Sequence, residues 1–104
     1  MDTSFDMKFA ENTEAIVTQF GFKDLKSFVK NQALLMLMAK IEKYEAENKL
    51  FESKYSMTFD AFNEKLGKLH GDEDFVKEDD CLDWRFAKEA IERLLKQKQE
   101  LERA

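Results

Sequence analysis

Residues 33–39 read ALLMLMA, seven consecutive apolar side chains in a chain of 104 residues of which 38% are charged. Seven residues make almost two turns of an α-helix, so a helix here would be apolar on every side. The absence of proline and the presence of only three glycines favour long helices. Because a helix that is apolar all round must be covered all round, we expect a second copy of this short chain to cover its far side.

The predicted helix around this run is bounded by clear end signals. Gly21 can take the left-handed conformation that ends a helix, which predicts a short helix over about residues 13–20 before it. Asp24 is a suitable N-cap for the next helix, whose apolar residues keep helical spacing to about Lys54. Thr58 is a suitable N-cap for a third helix.

The segment Ser4–Phe9 alternates polar and apolar residues strictly, which is the period of a half-buried β-strand. One six-residue strand cannot satisfy its backbone hydrogen bonds alone, and no other segment of the sequence has a strand pattern. Pairing with the same strand of a second copy would satisfy them, so the pattern predicts a homodimer. A frayed N-terminal tail is the alternative.

Apolar residues of the predicted strand and of the long helix form the predicted dimer core. They are Phe5, Met7, Phe9, Phe28, Val29, Leu34, Leu35, Met36, Leu37 and Met38. The alternative for the central apolar run is that it lines a pocket for a hydrophobic ligand.

Residues 3–39 resemble the ribbon-helix-helix family of DNA-binding dimers. The resemblance rests on the Ser4–Phe9 strand, the short helix, the turn at Gly21 and Phe22, and residues 27–34, which read SFVKNQAL. It implies a mainly α fold in which a short N-terminal β-strand pairs across a homodimer. One long central helix and further C-terminal helices would follow.

In that family, outward side chains of the paired strands read bases, and the N-terminus of the second helix binds a phosphate. The residues at these positions are Ser4, Asp6, Lys8, Lys23, Lys26 and Ser27. Asp6 departs from what a base-reading strand presents, and no arginine precedes Arg85 to make bidentate contacts with guanine. The net charge of −5 also argues against binding nucleic acid through bulk charge.

The acidity of the chain is concentrated towards its C-terminal end. Residues 72–104 carry eleven acidic and seven basic side chains, and seven of the acids lie within residues 72–83 with only Lys77 opposing them. We expect residues 72–80 to form a loop and the last helix to begin near Asp80. Three roles remain open for the acidic cluster: a solvated loop, a divalent-cation site, or a surface for a basic partner.

Large apolar side chains interleave with these acids, and aromatic anchors surrounded by charge are typical of interface hot spots. The predicted partner-binding residues are Asp74, Phe75, Glu78, Asp79, Asp80, Leu82, Trp84 and Phe86. Trp84 and Phe86 are two residues apart, so one helix face cannot bury both. We expect one of them to face solvent or another chain.

Three stretches of this region are similar to the C-terminal part of small prokaryotic proteins that are encoded as antitoxin-like partners of toxins. They are residues 52–59 (ESKYSMTF), residues 73–75 (EDF) and residues 78–84 (EDDCLDW). The resemblance implies two parts. Residues 1–54 would be a ribbon-helix-helix-like dimerisation module, and residues 55–104 would be a helical region that wraps a toxin.

Residues that commonly carry catalysis are isolated in this sequence. His70 has no second histidine at metal-ligand spacing, and Cys81 stands among aspartates whose charges disfavour a thiolate. We therefore expect no enzyme activity, no metal and no cofactor. A single cysteine excludes an internal disulfide, and no apolar run approaches the roughly 18 residues that span a bilayer. The cytoplasm is the expected location.

Together these patterns predict an antitoxin-like protein that dimerises and occludes a basic toxin with its acidic C-terminal region. Operator DNA is left open as a further partner, which would make the protein a transcription regulator. The alternative is a structural helical oligomer or scaffold that does not bind DNA. Asp6 and the late first arginine favour this alternative.

Overall fold

Four α-helices make up most of the chain that the computed structural model describes, namely residues 3–68 and 75–104. They are α1 (Thr3–Gln19), α2 (Leu25–Tyr55), α3 (Phe59–Gly67) and α4 (Phe75–Glu102). The chain divides into two compact units, Met1–Met36 and Leu37–Ala104, and the division falls inside α2. The boundary predicted from the sequence, between residues 54 and 55, lies at the end of α2 instead.

The predicted N-terminal strand is wrong, because residues 3–19 are helical and the described part of the chain contains no strand. The alternation at Ser4–Phe9 covers only six residues, whereas residues that follow it, such as Ala10 and Glu11, favour a helix. A helix also satisfies its own backbone hydrogen bonds, which a lone strand leaves unpaired. Without a strand there is no ribbon, so the ribbon-helix-helix fold is contradicted.

The turn between α1 and α2 has both end signals that the sequence predicts. Gly21 has a φ of +101°, a conformation that is strained for any residue with a side chain. Asp24 caps α2, since its Oδ1 accepts a hydrogen bond from the Ser27 amide at 2.8 Å. Phe22 then packs edge-on against Phe28, with 5.2 Å between the ring centroids. The turn is therefore held by backbone conformation, by a cap and by an aromatic contact.

Trp84 lies at the centre of the core of the Leu37–Ala104 unit, where it is fully buried beside Phe62 and Cys81. Half-buried side chains from the end of α2, the following turn and α3 pack against this cluster. They are Phe51, Tyr55, Met57, Phe59 and Leu66. The buried side of α4 continues through Ala87, Ala90 and Leu94. Because this side of α4 is buried, the side chains on its opposite side are exposed to solvent.

α4 begins at Phe75, earlier than the predicted start near Asp80, so the predicted loop is wrong for residues 75–80. Residues 72–74 lie outside the described ranges. The early start places Glu78 and Asp79 in the first turns of a helix, where the positive end of the helix dipole favours carboxylates. Glu78, Asp79 and Asp80 are therefore held in fixed helical positions.

Thr58 caps α3 as predicted, because its hydroxyl oxygen accepts a hydrogen bond from the Ala61 amide at 3.2 Å. Thr58→Ala should lower the free energy of unfolding by about 1 kcal/mol, since that amide loses its acceptor. Thr58→Ser keeps the oxygen and should remain close to the wild type. Urea unfolding followed by circular dichroism measures both variants, and wild-type stability of Thr58→Ala would contradict the capping role.

Candidate functional site

The side of α4 opposite Trp84 carries three large apolar residues that are not covered. Phe75, Leu82 and Phe86 are 66%, 61% and 57% exposed. Their spacing of seven and four residues places them on one helix face, while Trp84 lies on the other. An uncovered row of two phenylalanines and a leucine is unusual for a surface with no binding role.

Exposed carboxylates surround this apolar row. Glu78 and Asp79 fall between Phe75 and Leu82 on the same side of the helix, and both are exposed. We call these five residues, Phe75, Glu78, Asp79, Leu82 and Phe86, the outer face of α4. All five are predicted partner-binding residues, and the structure brings them together on one surface.

Two other predicted partner-binding residues lie elsewhere, and Asp74 lies outside the described residues. Trp84 has no exposed surface, which corrects its predicted role as an anchor for a partner. Its ring stacks on Phe51 with 5.5 Å between centroids, and its Nε1–H donates to Asn48 Oδ1 at 2.7 Å. The indole thus has both an apolar environment and a hydrogen-bond partner inside the unit. Of the Trp84 and Phe86 pair, Phe86 is the one that faces solvent.

Asp80 also points inward, to a network at the junction of α2 and α4. Its Oδ2 accepts hydrogen bonds from Lys54 Nζ at 2.6 Å and from Tyr55 OH at 2.5 Å. The Lys54 hydrogen bond, followed by that of Tyr55, holds the pKa of Asp80 below its ordinary value of 3.8. Burial and the neighbouring carboxylate raise the pKa of Tyr55. Asp80 therefore fastens the start of α4 to the end of α2 and is not offered to a partner.

The Asp80 network should make stability depend on pH in acid. Because its pKa is lower in the folded than in the unfolded state, its contribution is full above the unfolded value and is lost as pH falls through the folded value. As pH falls below the unfolded value of about 3.8, we expect Asp80→Asn to lose less stability than the wild type. At neutral pH the variant should be the less stable of the two.

Urea unfolding at a series of pH values tests this expectation. Asp83→Asn is the matched control, since it removes an exposed carboxylate of the same helix for which the described residues supply no hydrogen bond. The control should follow the wild type. Parallel acid profiles of Asp80→Asn and the wild type would contradict a stabilising role for the network.

A groove of about 460 Å³ lies between α2 and α4 within the Leu37–Ala104 unit. Its lining comprises Lys43, Tyr44, Glu47, Leu50, Phe51, Lys54, Asp83 and Phe86. Phe86 meets the Tyr44 ring edge-on at 5.8 Å between centroids, so this residue of the outer face also forms one wall of the groove. The groove and the outer face of α4 are therefore adjoining surfaces.

Sequence reasoning missed the α2 side of this groove. Tyr44 and Phe51 are among the apolar residues at helical spacing from which the sequence predicts the long helix, and they form an inward stripe of it, whereas Leu50 received no role. The available signal was Leu50 itself, because a leucine directly beside the inward Phe51 falls off that stripe and must face elsewhere. It is 70% exposed.

The predicted DNA-binding residues do not form the expected site. The side chains of Asp6, Lys8, Lys23 and Lys26 are exposed. However, residues 3–19 are helical, so the strand that would place Asp6 and Lys8 in a DNA groove is absent. The side chain of Ser4 is not among those described. The predicted phosphate site at the start of α2 is also corrected. Two carboxylates already accept hydrogen bonds from its amides: Asp24 from Ser27, and Glu14 from Leu25 at 3.1 Å. Their negative charges would repel a phosphate.

The Met1–Met36 unit exposes much of its apolar surface, including five of the ten predicted dimer-core residues. On α1, Phe9, Ile16 and Phe20 share one helix face and are all exposed. On α2, Val29 and Met36 share a second exposed face. Val17 is the one buried apolar residue among the described residues of this unit. The unit thus has very little core of its own.

The remaining predicted core residues that are described are also incompletely buried. Met7, Leu35 and Met38 are exposed, while Phe28, Leu34 and Leu37 are half-buried. The side chain of Phe5 is not among those described. The run at residues 33–39 is therefore apolar on every side, as predicted, and one side of it is not covered by the chain itself.

The residues considered for catalysis form no recognisable active site in the described ranges. Cys81 is buried, and its thiol donates a hydrogen bond to Asn63 Oδ1 at 3.5 Å. The same Asn63 oxygen also accepts a hydrogen bond from Arg85 at 3.0 Å. Among residues 3–68 and 75–104, no group of three histidine, cysteine or acidic side chains is arranged to hold a metal ion. His70 lies outside these ranges.

Comparison with known proteins identified no matching family model, no matching curated protein and no matching solved structure. None of the helices in the described part of the chain is long and apolar enough to cross a membrane. The surfaces of the two units therefore carry the functional interpretation.

Proposed function

We propose that this chain is a non-catalytic binding protein of the antitoxin type, which masks a basic protein partner with the outer face of α4. The observation that carries this proposal is the exposed row of Phe75, Leu82 and Phe86 among carboxylates. Large apolar side chains supply most of the binding energy at protein interfaces, and surrounding charges select the partner. A basic surface is the complement of this pattern.

Charge supports the same choice of partner. Residues 72–104 have a net charge of −4, and Glu78 and Asp79 lie within the outer face. The electrostatic field of this negative charge accelerates the encounter with a positive surface and disfavours acidic partners. A toxin that binds nucleic acid presents a surface of this kind, and the outer face would cover it by steric and electrostatic occlusion.

The proposal includes self-association through the Met1–Met36 unit. Its exposed apolar faces on α1 and α2 would be covered by the same faces of a second copy, as in other symmetric helical dimers. This dimer is built from helices and needs no strand. Operator DNA is not part of the proposal, because the start of α2 is occupied by carboxylates.

A structural scaffold is the competing function, and the exposed faces of the Met1–Met36 unit fit it equally well. The outer face of α4 separates the two functions, because a scaffold built by the N-terminal unit leaves that face without a role. A scaffold would form oligomers of its own chain and would bind no basic partner.

The test is co-expression with the product of the adjacent gene, followed by purification and light scattering of any complex. A stable complex, together with relief of growth inhibition by that product, would support the proposal. Absence of a complex at micromolar concentrations would refute the choice of partner. A growth inhibition that persists despite a stable complex would refute the masking mechanism.

A further inference from the structure

We infer that the groove between α2 and α4 binds an arginine side chain of the basic partner, an inference that rests on the proposed function. The groove adjoins the outer face of α4 through Phe86, so a partner seated on that face reaches it directly. The inference adds a specific occupant to a surface that is otherwise described only by its charge.

The walls of the groove are suited to a flat cation. Tyr44, Phe51 and Phe86 supply three aromatic rings, and Leu50 adds an exposed aliphatic wall. Aromatic rings attract cations over their faces, and arginine stacks on them better than lysine because its guanidinium is planar and weakly hydrated. Lys43 Nζ lies 5.2 Å from the centroid of the Tyr44 ring, so an arginine would share this ring with Lys43 or stack on Phe86 instead.

The charges of the lining point to the same occupant. Lys54 is paired with Asp80, and Lys43 lies over Tyr44, so both lysines have contacts inside the molecule. By contrast, no ion pair to Glu47 or Asp83 occurs among the residues that the structure describes. One of these carboxylates comes from α2 and the other from α4. Because Asp80 balances the charge of Lys54, the lining keeps two carboxylates on opposite elements against the one ammonium of Lys43, a surplus of one negative charge.

The size of the groove fits a short segment of chain around the arginine. A volume of about 460 Å³ exceeds that of one side chain and leaves room for its neighbours. The guanidinium has five N–H donors, so it can bond one carboxylate and still stack on a ring. An aliphatic neighbour in the partner would contact Leu50.

The probe is acetyl-Leu-Arg-Leu-amide, titrated into the full-length, isotope-labelled protein and followed by nuclear magnetic resonance. The matched control peptide carries citrulline, which has the shape of arginine without its charge. We expect the arginine peptide to shift the signals of Tyr44, Glu47 and Phe86, and the citrulline peptide to leave them nearly unchanged. Equal shifts from both peptides, or arginine shifts confined to other surfaces, would overturn the inference.

A double variant tests the two carboxylates. Glu47→Gln with Asp83→Asn should weaken binding of the arginine peptide about tenfold or more, because both charged acceptors become neutral. Glu42→Gln with Glu92→Gln removes the same total charge from exposed positions of the same helices outside the groove, and should bind as the wild type does. Equal weakening in both double variants would overturn the inference in favour of a general effect of net charge.

The failure of this inference can be told apart from failure of the proposed function. If the groove does not distinguish arginine from citrulline but the adjacent gene product still forms a complex, the groove assignment is wrong and the binding function stands. If the adjacent gene product forms no complex, the proposed function is refuted, and the inference that the groove serves this partner is refuted with it.

Discussion

Replacing Trp84 with alanine should lower the free energy of unfolding of the Leu37–Ala104 unit by about 3–5 kcal/mol. The side chain is fully buried and contacts rings from α2 and α3, so its removal leaves a cavity between all three helices of the unit. Asn48 also loses the hydrogen bond that the indole donates. Since a small domain has only about 5–15 kcal/mol of stability in total, the variant should be close to unfolding.

Urea unfolding followed by far-ultraviolet circular dichroism measures this loss without needing the tryptophan signal. Trp84→Phe keeps an aromatic ring and should destabilise the unit less than alanine does. Phe86→Ala is the matched control, because it removes an aromatic side chain two residues away that is mostly exposed. A loss below about 1 kcal/mol for Trp84→Ala would contradict the assignment of Trp84 to the core.

Replacing Met36 with glutamate should dissociate the proposed dimer into monomers. Met36 is 72% exposed in the single chain, so a glutamate there costs the monomer little. In a dimer covered by the faces of the Met1–Met36 unit, the same carboxylate would be buried without a partner. Such burial costs several kcal/mol, enough to raise the dissociation constant by more than about a hundredfold.

Light scattering at two concentrations measures the change in mass. The wild type should have twice the 12.3 kDa mass of the chain and keep it on dilution, while Met36→Glu should approach the single-chain mass. Leu82→Glu adds the same charge at a similarly exposed apolar position of the other unit, and should remain a dimer. A wild-type monomer, or dissociation of both variants alike, would contradict self-association through the N-terminal unit.

The elements that the sequence predicts well are those decided by neighbouring residues. Gly21, Asp24 and Thr58 act on backbone groups within three residues of themselves, so their roles as helix ends are visible in the sequence and are confirmed. The early start of α4 was missed because the acids between residues 72 and 80 suggested a loop. Acidic residues also favour a helix N-terminus, so the same residues were equally a local signal for the start of a helix.

The incorrect prediction of a strand at Ser4–Phe9 shows that a short alternation of polar and apolar residues can be misleading. Six alternating residues fit a strand, yet the same residues continue into α1 without a break. A strand also requires a pairing partner, which the sequence of one chain cannot supply. The self-pairing that was invoked to provide it was an added assumption, and the helix makes it unnecessary.

The candidate site depended on contacts between distant parts of the chain. The spacing of Trp84 and Phe86 predicts that only one of them is buried, but which one depends on where α2 and α3 pack against α4. In the sequence, Asp80 cannot be distinguished from the other acids of the cluster, because its hydrogen bonds with Lys54 and Tyr55 depend on the fold. The groove could not be predicted, because its two walls, residues 43–54 and 83–86, are 29 or more residues apart in the sequence.

The claim that a basic partner binds the outer face of α4 is tested most directly by isothermal titration calorimetry with the product of the adjacent gene. Phe75→Ala with Leu82→Ala should weaken binding about a hundredfold, since two exposed anchors outside the groove are removed. Leu95→Ala, an exposed leucine of α4 outside the outer face, should bind as the wild type does. Unchanged affinity of the double variant would contradict the account.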